Sequence, residues 1–170
     1  MNPGTIVIGV LFALVVVTIF MGVRLVPQGY EFVVQRLGKY HSTLKPGLNF
    51  IIPYVDIVAY RLTTKDIALE IGAQEAITKD NAVIVANAIA FIKVTDPVKA
   101  VYGVVDFSEA IRNLIMTTLR SITGEMDLDQ ALSSRDKIKV RLRESIADEA
   151  VDWGLTVKSV EIQDIKPSAS

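Results

Sequence analysis

The residues able to do chemistry are few and poorly placed for it. The one histidine, His41, sits beside Ser42 and Thr43 in a stretch that reads as a polar loop, and without a partner motif it reads as a solvated side chain rather than a general base. Glu125, Asp127 and Asp129 alternate as the carboxylates of a calcium loop do, but the later glycine and glutamate are missing, and helix capping explains them better. No phosphate loop, dinucleotide glycine fingerprint, zinc-binding HExxH or nucleophile elbow occurs. Cysteine is absent, which removes disulfides and thiolate sites. The net charge is -1 and the isoelectric point is about 5.8, with no concentrated basic stripe, so nucleic acid is not an expected partner. No catalytic residue, metal or cofactor is predicted. Whatever the 170-residue chain does, its surfaces do it.

The most distinctive charge pattern lies between Arg135 and Asp152. Arg135, Lys137, Lys139, Arg141 and Arg143 share the first half with one acid, Asp136; the second half holds Glu144, Asp148, Glu149 and Asp152 and no base. A helix dipole favours the opposite order by about 0.3–1 kcal/mol for each charge in a terminal turn. One compensation is head-to-tail assembly, with the basic half of one subunit against the acidic half of the next, a contact that generates rings when its rotation closes. The expected oligomer contacts are Arg135, Lys139, Arg141, Arg143, Glu144, Asp148, Glu149 and Asp152; the alternative is a merely solvated face.

These residues need positioning, and the chain begins with an anchor. Hydrophobic residues make up 51% of the chain, with a mean hydropathy of +0.39, and the excess is concentrated at the N-terminus. From Thr5 to Val23 no side chain is charged, and as a helix that stretch spans about 28 Å, close to a bilayer's hydrocarbon core. The start Met1-Asn2-Pro3-Gly4 lacks the positive charge of a secretory signal, so an uncleaved anchor is expected. Arg24, Arg36, Lys39 and Lys45 follow the span, which places the remainder in the cytoplasm and the N-terminus outside. Thr5, Gly9 and Ala13 put small residues on one face of it.

After the anchor, alternating Tyr30, Phe32 and Val34 predict a strand, and Lys45-Pro46-Gly47-Leu48 predicts a type II turn at which the chain reverses. Further strand signals are Val58, Tyr60 and Leu62, then Ile67, Leu69 and Ile71, then a hairpin of 73–78 with 82–95 around Lys79-Asp80-Asn81. Ile84, Ala86, Ala88, Ala90, Ile92 and Val94 face one way, and the three alanines leave room for a closely packed helix. Helices are predicted from Asp96-Pro97 to Gly103, and from Phe107 to Ile122 with Phe107, Ile111, Leu114, Ile115, Leu119 and Ile122 inward. Asp127 with Gln130 predicts a capped short turn, and Ser133 or Ser134 caps a helix to about Trp153 with Ile138, Leu142, Ile146 and Ala150 as its apolar stripe. Gly154 ends that helix, and Leu155, Val157, Val160 and Ile162 form a last strand, irregular near Ser159.

The run Pro46 to Asp56, PGLNFIIPYVD, is too greasy for a surface loop and too short to cross a bilayer, and Pro53 interrupts any helix. Two readings fit its residues: a core strand, or an apolar edge buried in the near leaflet beside the anchor.

In order along the chain, Val26-Pro-Gln-Gly-Tyr30, Arg36-Leu-Gly38, Pro46-Gly-Leu48, Ile52-Pro53, Ile77-Thr-Lys-Asp-Asn81, Thr118-Thr-Leu-Arg120, Leu132-Ser-Ser-Arg-Asp136, Trp153-Gly154 and Val160-Glu-Ile162 resemble the stomatin, prohibitin and flotillin (SPFH, or band-7) superfamily, most closely bacterial slipins of the paraslipin type. The resemblance covers nearly everything after Arg24. It implies an α+β fold: a membrane anchor (1–25), a β-rich membrane-proximal part (26–95), then a helical part with a closing strand (96–167), the sheet twisted, mostly antiparallel and backed by helices. It implies a non-enzymatic scaffold that oligomerises into rings or cages, organises membrane microdomains and regulates membrane proteases or other membrane proteins at a bacterial inner membrane. Membrane lipid, an NfeD-type membrane protein and a membrane AAA protease are the partners implied. It also tips the run above towards insertion, with Leu48, Phe50, Ile51, Ile52 and Pro53 as membrane contacts. Members of the family continue into a long helix rich in Ala, Glu and Arg, so this chain is expected to be a segment of a longer protein. The competing expectations are a lipid-binding adaptor that forms no ring, and an anchored hydrolase using His41 or an acidic pair.

Overall fold

A computed structural model of the chain describes residues 2–168, which form two compact units that divide after Thr63. The division falls after Thr63, not at the expected boundary after Thr95. The reason is strand pairing: the strands between 66 and 94 form a sheet with the last strand of the chain, so they belong with the helices that follow them.

The first unit opens with α1 (Pro3–Gly22), an apolar helix of 20 residues, about 30 Å long, of mean hydropathy 2.7 over its most apolar window, with an almost wholly exposed surface. Pro3 occupies its first turn, where a missing N–H is harmless. The expected anchor to residue 25 is shortened, because Val23–Val26 forms strand β1 and pairs antiparallel with β4 (Gly47–Phe50). Hydropathy alone cannot end the helix there; pairing with a strand distant in sequence does.

A second, three-stranded sheet has the order β3-β2-β5, from β2 (Tyr30–Arg36), β3 (Lys39–Leu44) and β5 (Asp56–Thr63), all antiparallel. Three differences from the expected strands appear here. Val33 is buried as well as Phe32 and Val34, because bulges in the pairing of β2 break its strict alternation. His41 lies exposed within β3 and not in a loop, Ser42 and Thr43 being paired with Val34 and Val33. Gly47 has the expected positive φ, +117°, but the chain does not fold back there as a hairpin, since β4 pairs with β1 and not with β3.

In the second unit, β6 (Asp66–Ile77), β7 (Val83–Val94) and β8 (Leu155–Pro167) form an antiparallel sheet with β7 central. The two predicted strands around Ile71 and Ala73 are one, with an irregularity between Ile71 and Gln74. All six inward residues of β7, Ile84 to Val94, are buried. Over the sheet lie α3 (Phe107–Gly124), packed on β6, and α5 (Arg135–Asp152), packed on β8 and on α3. Ile111, Ile115, Leu119 and Ile122 supply the inner face of α3, and Ile138, Leu142, Ile146 and Ala150 that of α5. Ala86, Ala88 and Ala90 are buried on the inward face of β7.

The connecting pieces show where local rules hold. Asp96 caps α2 (Pro97–Tyr102), its side chain accepting from the N–H groups of Val98 and Lys99, and Asp106 caps α3 in the same way. Neither Asp127 nor Ser134 forms the expected side-chain cap for α4 (Leu128–Ser133) or α5. The first N–H of α4, that of Leu128, is satisfied instead by Asp80 of the β6–β7 turn, at 3.2 Å. Asp80 also accepts from Thr78, whose hydroxyl holds its carboxyl below the usual carboxylate range. The motif Ile77 to Asn81 is therefore a fastening between a hairpin and a helix. Gly154 ends α5 with φ +69°, and its carbonyl accepts from the N–H groups of Thr95 and Asp96. β8 is irregular at Lys158, as expected near Ser159, and again at Gln163.

Candidate functional site

The apolar run after Pro46 sits at the end of α1. In the β1–β4 ribbon Leu25 is opposite Leu48 and Val23 opposite Phe50. Leu25 is 73% exposed, Leu48 74%, Phe50 59%, Ile52 48% and Tyr54 76%. The ribbon and the following turn thus display an apolar edge directly continuous with a helix long enough to span a bilayer. Of the five expected membrane contacts, Leu48, Phe50 and Ile52 are exposed and Pro53 is half-buried. Ile51 is a correction: it is buried in the core with Val26, Phe32, Val34 and Leu44. Its N–H donates to the Gly22 carbonyl at 2.8 Å, so backbone pairing turns its side chain inward. Leu25 and Tyr54 join the edge and were not expected there. Leu25 read as part of the anchor, and its pairing with Leu48 is the signal that places it.

The ribbon is fastened to α1 at Gly22. A Cβ there would stand 2.5 Å from the Ile51 carbonyl oxygen and 2.8 Å from the Phe50 ring, so only glycine lets the chains meet this closely.

The turn from Ile52 to Asp56 is fixed by one carboxylate. Arg36 Nε donates to Asp56 Oδ1 at 2.6 Å and Arg36 Nη2 to Oδ2 at 2.9 Å, a two-point pair; Oδ2 also accepts from the Ile52 N–H at 2.9 Å. The Arg36 guanidinium, seconded by the Ile52 N–H, holds the Asp56 carboxyl down at about 2, against the opposing effect of its burial, from an ordinary 3.8. The folded value is the lower one, so the pair stabilises the fold above about pH 3.8 and the contribution is lost as pH falls through about 2. Denaturant titrations against pH, read from a fluorophore in the first unit, will show the midpoint fall across this window, and Asp56→Asn will remove that part of the fall.

The charged face of α5 comes out differently from expectation. Arg141 pairs with Glu125 at 2.6 Å, Lys139 with Glu161 at 2.7 Å, and Arg135 lies 4.0 Å from Asp164. Much of the compensation for the unfavourable charge order therefore comes from β8 and the end of α3 within the same unit. Such exposed pairs contribute about 0–1 kcal/mol each. Among the described residues Arg143, Glu144, Asp148, Glu149 and Asp152 have no such ion pair. Shallow open grooves flank the exposed Val140, one lined by Asp136, Lys137 and Arg141, the other by Arg143, Glu144 and Ala147. Among the described residues no cluster of three or more His, Cys, Asp or Glu could hold a metal ion.

Residues 24–170, which hold the strands of the first unit and the sheet backed by two helices, match the SPFH domain / Band 7 family, and the chain belongs to that family. Its relatives include an uncharacterized protein of Methanothermobacter thermautotrophicus, 42% identical over 93% of this chain and 49% of the relative. One from Archaeoglobus fulgidus is 41% identical over 90% of this chain and 62% of its own length. Human stomatin-like protein 2, mitochondrial, is 36% identical over 84% of this chain and 40% of its own. The chain thus spans about half the length of the curated relatives it matches.

Proposed function

We propose that this chain is the membrane-proximal part of a non-enzymatic, membrane-anchored scaffold of the slipin, paraslipin-like, kind. One observation carries the reading: α1 runs without a linker into a ribbon and turn whose outer edge is apolar and exposed while its inner side is core. Leu48, Phe50 and Ile52, with Leu25 and Tyr54, rest in the headgroup and upper acyl region of the leaflet that α1 enters, giving the first unit two holds on one membrane. The N-terminus lies outside and the domain in the cytoplasm at a bacterial inner membrane, the basic residues after α1 supporting that orientation.

Copies assemble into rings or cages that organise membrane microdomains and regulate membrane proteases or other membrane proteins, an NfeD-type protein or a membrane AAA protease among them. The subunit contact uses the free charges of α5, Arg143 against Glu144, Asp148, Glu149 and Asp152 of a neighbour, with Arg135, Lys139 and Arg141 at its rim. Arg143 is the cleanest probe, since Arg141 already serves Glu125. In native mass spectrometry of the full-length protein in detergent, Arg143→Glu breaks the oligomer and adding Glu149→Arg restores it. An oligomer indifferent to both removes α5 from the contact.

A second reading, a lipid-binding adaptor without rings, is favoured by one fact: the ion pairs of Arg135, Lys139 and Arg141 already offset the charge order of α5. Monomers or dimers of the full-length parent would select it.

A further inference from the structure

We infer that the Arg36–Asp56 pair is a positioning clamp that presets the turn Ile52–Val55 for the lipid interface, with Tyr54 as its headgroup-level residue. The inference rests on the membrane-contact reading of the ribbon and adds to it the device that sets the pose. Three observations converge on the turn.

First, both of its ends are tied to one buried residue. The Asp56 carboxylate, only 2% exposed, accepts from the Ile52 N–H, and the Asp56 N–H donates to the Ile52 carbonyl at 2.9 Å. The guanidinium of Arg36 grips the same carboxylate at two points from β2, and the Leu37 N–H donates to the Val55 carbonyl at 3.3 Å. The turn is thus held at its ends by Asp56 and Arg36 of the sheet and by Leu37 of the β2–β3 turn.

Second, the residue so held is in an uphill conformation. Tyr54 has φ +72°, a left-handed backbone that bulky side chains rarely adopt and that persists only where its surroundings enforce it.

Third, the enforced conformation presents Tyr54 outward at the end of the membrane helix. Its side chain is largely exposed, and its hydroxyl approaches Met21 Sδ at 3.7 Å, beside the last residue of α1. An aromatic ring with a polar tip at that level suits the boundary between acyl chains and headgroups, where one end is apolar and the other wet. Exposed Ile52 supplies the apolar flank.

These 170 residues hold no cysteine, so each introduced label is single within them, and any cysteine elsewhere in the full-length protein is first replaced by serine. Ile52→Cys and Phe50→Cys, each carrying a small environment-sensitive fluorophore, are reconstituted as full-length protein in phosphatidylcholine and phosphatidylglycerol vesicles containing lipid-borne quenchers. With the clamp intact both labels are quenched. In Asp56→Asn the label at residue 52 loses about half its quenching, as expected when a side chain leaves an interfacial layer about 5–10 Å deep, while the label at residue 50, on β4, keeps its own. Arg36→Lys keeps the charge but cannot form the two-point pair, and gives the same split with smaller amplitude; it stands in if Asp56→Asn fails to fold, as circular dichroism reports. Equal quenching at residue 52 with and without the clamp overturns this inference and leaves the membrane contact standing. Absence of quenching at residue 50 in the parent overturns the membrane contact and the clamp's role with it.

Discussion

Valine in place of Gly22 loosens the β1–β4 ribbon from the end of α1 and destabilises the first unit by about 3 kcal/mol, the upper end of the overpacking range. The size follows from what the added atoms meet. The nearest is the Ile51 carbonyl oxygen, and backbone cannot swing aside as a side-chain tip can. The Ile51 N–H bond to the Gly22 carbonyl is lost as the strands part, and Ile51 is pulled from its place beside Val26 and Leu44. The readout is a fluorophore at Leu48→Cys, whose denaturation midpoint falls with Gly22→Val. Trp153, the sole tryptophan, reports the second unit and moves less. Equal midpoints at residue 48 with glycine and valine would show that the close approach of α1 and β4 is dispensable.

Leu142→Ala is the second large effect: it lowers the stability of the second unit by about 2–5 kcal/mol. Leu142 is wholly buried, in the middle of a stripe one residue wide and four long, Ile138, Leu142, Ile146 and Ala150, by which α5 holds to the sheet and to α3. The rest of that helix is largely polar, so no other apolar group can shift inward to fill the space. Trp153, just past the end of α5, reports the loss in a denaturant titration. A change below about 1 kcal/mol would mean that the site collapses around the cavity.

What the sequence made legible is what short-range rules govern. The alternation of β7, the Asp96-Pro97 start of α2, the stripes of α3 and α5 and the stop at Gly154 each depend on residues within a few positions, and each stands in the structure. What escaped depends on partners far along the chain. The Leu128 N–H is capped by Asp80, so the local candidate, Asp127, was the wrong one. The anchor was drawn three residues too long because β1 is apolar enough to extend it and only β4 reveals it as a strand. The same pairing decides the apolar run: Phe50 and Ile52 face out and Ile51 in, a distinction that composition cannot make. For the charges of α5 the sequence showed the unfavourable order, but not that Glu125, Glu161 and Asp164 lie within reach of its bases.

In the proposed arrangement the ribbon beside α1 is a second hold on the leaflet that α1 enters. A fluorophore at residue 50 of the full-length protein in vesicles, read against quenchers placed at graded depths along the lipid, tests it most directly. The expected quenching is strongest with quenchers just below the headgroups and weak with those at the bilayer centre. A label indifferent to every lipid-borne quencher, while α1 remains inserted, would contradict it.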